Sequence, residues 1–212
     1  MQVEIWSDVV CPWCYLGKRR FENALAEVPF ASDVDVVHRS FQLDPSAPHD
    51  HTVDTTAHLA EKYGLTGERA RQMQQEMEQR AAEDGLEYHL AGQRSGSTLA
   101  AHRLLQFAKA QGKQDVLIEV MYRAYFTDGG SVFDTDALEA LATQVGLDPA
   151  QARDVLTSER YTDAVQADLE QAREYGVNGV PFYVFDGKFA VSGAQTTDVF
   201  QRALVQAHDA SA

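Results

Sequence analysis

The stretch SDVVCPWCYLG, residues 7–17, holds both cysteines of a 212-residue chain, two residues apart. What precedes it reads as a strand running into a short loop. QVEIWSDVV is rich in β-branched residues, with Val3, Ile5 and Val9 set among polar neighbours. After it the period changes. Leu16, Phe21, Ala24, Leu25 and Val28 recur at helical spacing, and Pro12 suits a first helical turn, where its missing N–H is not needed. The segment EVPFASD closes that helix, and VDVVHRSFQLDP supplies a second strand that Pro45 stops. The opening is therefore a βαβ unit, with Cys11-Pro12-Trp13-Cys14 entering its helix.

That position carries chemistry. Two cysteines so spaced at a helix entrance lie within disulfide reach. The N–H groups there lack helical partners and the helix dipole is positive, so both effects favour a thiolate. Thiol pKa values in such settings fall to roughly 3.5–7.5. Cys11, earlier and nearer the helix mouth, is the candidate nucleophile and is expected to be the more exposed of the two. Cys14, almost one turn inside, is the candidate resolving thiol, which attacks Cys11 to release a mixed disulfide. Pro12 fixes the backbone between them and Trp13 offers an apolar platform beside the sulfur. Other readings stay open: half of a zinc site, two buried small hydrophobes, or a passive disulfide. Against zinc, no second Cys-x-x-Cys follows and no Cys/His pair has finger spacing. A Cys-x-x-Cys beside a βαβ unit favours the redox reading.

The middle of the chain is helical in character. TVDTTAHLAEKYG, TGERARQMQQEMEQRAAEDG, STLAAHRLLQFAKAQG, QDVLIEVMYRAYFTDGG, DTDALEALATQVG, DPAQARDVLTS and SERYTDAVQADLEQAREYG follow one another, most of them closed by glycine. Strand signals return in VPFYVFDGKFAVSG, a hairpin turning at Asp186-Gly187. TTDVFQRALVQAHD is a last helix, and DASA at 209–212 reads as a frayed end.

Composition narrows the function classes. Hydrophobic residues make up 44% and charged residues 24%, ordinary for a globular protein. At this length folding needs no disulfide staple. Thirty-two acidic against 18 basic side chains give a net charge of −14, which repels nucleic acid and anionic lipid. GKRR at 17–20, the densest basic run, reads as a solvated helix face. No run approaches the roughly 18 apolar residues of a membrane span. The opening residues read as a strand and not as a signal peptide, so a cytoplasmic location is expected, where a catalytic pair is more at home than a structural disulfide. HDH at 49–51 reads as a loop without a third metal ligand, so no metal is assigned. His102, Met73, Met77, Tyr122, Tyr125 and Phe126 read as helix packing.

CPWC after the first strand, RSFQLDP on the second, the helical block and YGVNGVPFYVFDGKFAVSGAQ near the end together resemble the DsbA-like thiol-disulfide oxidoreductases, most closely their FrnE-type subgroup. The resemblance covers nearly the whole chain. It implies an α/β thioredoxin fold, residues 1–45 and 160–212, interrupted by an all-helical insertion, residues 46–159. It also implies that Pro181 is a cis-proline opposite the cysteine pair and that the Val180 backbone is open to an extended substrate segment. Propensity alone allows a trans proline opening a strand.

The implied activity is disulfide exchange on protein or small-thiol substrates. The dithiol acts without a bound cofactor, with glutathione as a candidate co-substrate. A second reading is a glutathione-dependent isomerase or transferase, similar in layout to hydroxychromene-carboxylate isomerases and kappa-class glutathione transferases. Those commonly carry a serine where this chain has Cys11. A third is a groove that holds unfolded chains without catalysis.

Overall fold

A computed structural model describes residues 1–210 and divides the chain into two compact units, residues 1–43 with 166 onward, and residues 44–165. The elements in chain order are β1 (Gln2–Ser7), α1 (Pro12–Ala26), β2 (Asp35–Ser40), β3 (Val53–Asp54), α2 (Thr55–Tyr63), α3 (Gly67–Glu83), β4 (Arg94–Ser95), α4 (Leu99–Ala110), α5 (Gln114–Phe126), α6 (Thr135–Gln144), α7 (Pro149–Thr157), α8 (Thr162–Glu174), β5 (Phe182–Phe185), β6 (Phe189–Ser192) and α9 (Thr197–Asp209). A single 3-10 turn, Ala31–Asp33, lies between α1 and β2. Asp209 still belongs to α9; residues 211–212 of the expected frayed end lie outside the described residues.

The first unit is a four-stranded sheet in the order β2-β1-β5-β6. β1 pairs parallel with β2 and antiparallel with β5, and β5 pairs antiparallel with β6. Alternation along the strands decides which face each side chain serves. Val3, Ile5, Tyr183 and Phe185 form one core with Phe21, Ala24 and Val28 from the α1 segment and Phe200, Ala203 and Leu204 from α9. Trp6 and Val184 point the other way and pack with Ala172 of α8 and Val177. With both faces covered, β1 is buried from Val3 onward.

On the α8 face a polar network is added to this apolar packing. Arg39 donates to Glu4 at 2.8 Å and to Asp168 at 3.0 Å. Asp168 also accepts the Ser40 N–H at 2.8 Å, and the Trp6 indole donates to the Asp168 carbonyl at 2.9 Å. Buried carboxylates are tolerated only when paired in this way.

Local chemistry sets the ends of the elements. Asp186 and Gly187 both adopt positive φ, 48° and 65°, and the Lys188 N–H closes the turn on the Phe185 carbonyl at 2.9 Å. This is the left-handed pair that a primed hairpin turn requires. Strand β2 stops at Ser40, short of Pro45, because β1 ends at Ser7. Phe41 N–H takes the Ser7 carbonyl, and the next backbone donor bonded on that side, Leu43 N–H, goes to the Asp8 carboxylate at 2.8 Å.

In the second unit α2, α3 and α7 carry side-chain N-caps, Asp54, Thr66 and Asp148. Tyr122, Tyr125 and Phe126 are buried there, as are His102 and Met77, but Met73, expected to pack, is exposed. The two-residue strands β3 and β4 pair antiparallel within this helical block, where the sequence shows no strand pattern.

Replacing Arg39 by alanine leaves Glu4 and Asp168 buried without their cation. We expect a loss of about 2–3 kcal/mol, discounted because Arg39 is partly exposed, readable as a lower urea midpoint.

Candidate active site

Cys11 is the N-cap of α1, with Pro12 at its first turn. The Cys11 N–H bonds the Asp8 carbonyl at 3.1 Å and the Cys14 N–H bonds the Cys11 carbonyl at 2.9 Å, which draws the motif into a tight entry. Both cysteines are free thiols, and their side chains are hydrogen-bonded to each other. Facing them is the loop before β5, in which the Val180–Pro181 bond is cis. Cys11 Sγ lies 3.6 Å from the Val180 carbonyl, which it approaches as a donor. Cys11, Cys14, Val180 and Pro181 thus come together, with Pro12 between the thiols and Trp13 exposed beside them at 40%.

Cys11 is the more exposed of the two thiols, as expected, but only narrowly: it is 4% exposed and Cys14 2%, so both are buried. Its sulfur does not cap the helix amides, because a protonated thiol is a donor and turns to a carbonyl instead. One expectation is corrected, that for GKRR. Gly17 and Lys18 are buried, Lys18 paired with Glu22 one turn on, and Arg20 donates to the Ala194 carbonyl at 2.9 Å. The run lies on a covered helix, since α9 packs against α1.

The electrostatics separate the two thiols. Burial pushes the Cys14 thiol well above its ordinary range, and the hydrogen bond to Cys11 and the charge there push it further. The Asp8 carboxylate adds to this, while a hydrogen bond from the Asp8 backbone opposes it. Asp8, 1% exposed, was not singled out by sequence reasoning. A lone acid between an apolar strand and CPWC was the available signal. Tyr183 was missed as well. Its phenol is raised well above its usual range, by burial first and then by charge at Cys14, Cys11 and Glu22. Among the described residues no group of three or more His, Cys, Asp or Glu is placed to hold a metal.

A model of the DSBA-like thioredoxin domain matches residues 2–205. The chain belongs to the DSBA-like thioredoxin domain family. A probable DsbA oxidoreductase from Streptomyces coelicolor is 45% identical, with a TM-score of 0.95 over 99% of this chain and 90% of that one. Protein YwbO of Bacillus subtilis is 28% identical over 206 residues, 96% of each chain. The cytosolic disulfide reductase DsbM of Pseudomonas aeruginosa, at 17% identity, shares the fold with a TM-score of 0.66 over 97% of this chain and 98% of that one. The DsbA-like thioredoxin fold and an oxidoreductase family are thereby established. No described helix is long and apolar enough to cross a membrane.

Gly17 is what lets this DsbA-like site close. A Cβ there would lie 2.6 Å from the Tyr183 hydroxyl oxygen, 2.9 Å from Pro181 Cγ and 3.4 Å from Ala194 Cα. Gly17→Ala gains up to about 1 kcal/mol of helix propensity but overpacks a rigid contact at about 1–3 kcal/mol. We expect a net loss of stability in urea and slower disulfide exchange.

The raised Cys14 and Tyr183 groups also fix a pH dependence. The folded state holds both protons beyond the pH at which the unfolded chain begins to release them, about 8.5 for a thiol and about 10 for a phenol. The corresponding stability is complete below about pH 8 and is lost as pH rises above it. Urea midpoints of the reduced protein should therefore fall between pH 7.5 and 9.5, and fall less in Cys14→Ala.

Proposed function

We propose that this protein is a thiol–disulfide oxidoreductase in which Cys11 forms the mixed disulfide and Cys14 resolves it. The observation that carries the reading is the meeting of both thiols at the entrance of α1 with the Val180 carbonyl. Cys14, more deeply buried and held protonated, is suited to act second, once a bond to substrate has made the neighbouring Cys11 sulfur part of a disulfide that it can attack. The Cys11 thiol occupies the Val180 carbonyl in the reduced state. When Cys11 is joined to substrate it no longer has that proton to donate, and the carbonyl is freed to pair with an extended substrate segment. Trp13, exposed beside the pair, supplies apolar contact to the same segment.

The dithiol carries the two electrons itself, so the reaction needs no bound cofactor. The proposed substrates are disulfide-bearing or thiol-bearing proteins and small thiols, with glutathione as the proposed electron partner. We place the reaction in a reducing cytoplasm, as for FrnE-type proteins. Both cysteines are committed to one Cys-x-x-Cys and none to a structural bridge, which suits that compartment. Net direction there follows from the potential of the pair against the glutathione pool.

The test is turnover of a protein disulfide such as insulin, with thiol as reductant. Wild type should turn over. Cys11→Ser should be inactive, and Cys14→Ser should accumulate a covalent Cys11–substrate adduct. A glutathione-dependent isomerase or transferase would instead keep its activity in Cys14→Ser. A non-catalytic groove would suppress aggregation equally well in Cys11→Ser.

A further inference from the structure

Three strands end together at the cysteines. β1 and β2 run parallel, with Ser7 paired to Ser40, and β5 runs against them, with Trp6 paired to Phe182. The segments at this end therefore lie side by side in the order of the sheet. Phe41 to Leu43 follow β2, Cys11 follows β1, and Val180 and Pro181 precede β5. Neighbouring strands stand about 4.8 Å apart, so the row is about 10 Å wide, the span of roughly three residues of an extended chain.

Hydrogen bonds fix the row. The Phe41 N–H donates to the Ser7 carbonyl and the Cys11 N–H to the Asp8 carbonyl, each at 3.1 Å. The Leu43 N–H donates to the Asp8 carboxylate at 2.8 Å. Asp8 thus ties the Cys11 turn and Leu43 to one residue. A carboxylate that is 1% exposed is costly to bury. Here it holds the main chain of a leucine whose side chain is 37% exposed. On the other side of the row, Cys11 Sγ lies 3.6 Å from the Val180 carbonyl.

The side chains along the row are apolar. Trp13 and Leu43 are exposed, and Phe41 and Val180 are half-buried against one core cluster. Single exposed apolar residues are ordinary, but a group of them beside two thiols marks a binding surface. The cations of the flanking elements are committed elsewhere. Lys18 and Arg19 of α1 pair with Glu22, Arg20 donates to the Ala194 carbonyl, and Arg39 of β2 is held by Glu4 and Asp168.

We propose that Leu43 is a specificity-determining residue, which receives an apolar side chain of a polypeptide substrate next to the cysteine that joins Cys11. This rests on the reaction proposed above and narrows its substrate class. A segment that pairs with the Val180 carbonyl and sets its sulfur at Cys11 continues across the row toward β2. A side chain one or two positions from its cysteine then reaches Leu43. Contact there removes apolar surface of both partners from water. Glutathione disulfide gains nothing from this contact. Its cysteines are flanked by carboxylates, which meet leucine, tryptophan and the acid Asp8. Glutathione still serves as electron partner, because that exchange needs only the sulfur of Cys11.

The test compares kcat/KM for reduction of two disulfide-linked peptide dimers, one with leucine on both sides of its cysteine and one with serine. Wild type should prefer the leucine peptide by about tenfold, carried by KM. Leu43→Ala should remove most of that preference, and Leu43→Met, which conserves volume, should restore it. Leu43 is exposed, so both variants should fold, with urea midpoints close to wild type.

Equal values for the two peptides in wild type, or an undiminished preference in Leu43→Ala, overturns the role of Leu43 and leaves the oxidoreductase reading intact. If wild type turns over no disulfide, the oxidoreductase reading falls. Calorimetry with the leucine peptide, its cysteine replaced by serine, then decides on the contact alone. Binding that Leu43→Ala weakens upholds it, and equal or absent binding overturns it.

Discussion

The approach of α1 to the start of β5 governs this site. Helices ordinarily stand off a neighbouring strand by the width of their side chains. Here the helix presents a bare Cα at Gly17, and the Pro181 ring and Tyr183 hydroxyl occupy the space a Cβ would need. That contact brings the first turn of α1 within sulfur reach of the Val180 carbonyl. It also encloses Cys14, so that one thiol of the pair lies at the helix entrance and the other behind it. The division of labour proposed for Cys11 and Cys14 is a consequence of how closely two backbones pack.

The remainder of the first unit holds that contact in place. Phe21 and Phe200 clamp the Tyr183 ring, and α9 lies along α1. On the opposite face, the network of Arg39, Glu4 and Asp168 ties α8 to β1 and β2. The two faces use different physics. The α1 side is apolar and aromatic, where area removed from water dominates. The α8 side buries two carboxylates, which are stable there only because one guanidinium and several N–H groups meet them. Asp8 extends the same principle to the site. Its carboxylate replaces a missing ladder partner for Leu43, and its backbone reaches the Cys14 sulfur.

Much of the fold was legible before any coordinates. The cap residues, Pro12 at a first turn and the Asp186-Gly187 turn act over two to four residues, and such short-range rules place helices and hairpins well. The failures share a different cause. GKRR has the composition of a solvated face, yet what covers a helix is set by elements about 180 residues away in the chain. Val53–Asp54 and Arg94–Ser95 carry no strand pattern, because a two-residue ladder is made by proximity and not by periodicity. The FQLDP segment looked like more strand, but it had lost its neighbour once β1 ended at Ser7.

The sequence by itself determined the chemistry on offer: two thiols spaced to close a ring, set at a strand-to-helix junction, in a chain whose patterning and motifs place it among DsbA-like proteins. These are local properties, written in spacing and residue type. Tertiary structure alone decided the state of each group. It buried both cysteines, set the Cys11 thiol on the Val180 carbonyl, pressed Gly17 against Tyr183 and left that hydroxyl without a hydrogen-bond partner among the described residues. Desolvation and hydrogen-bond pairing depend on which distant segments meet, and no window of sequence contains that information.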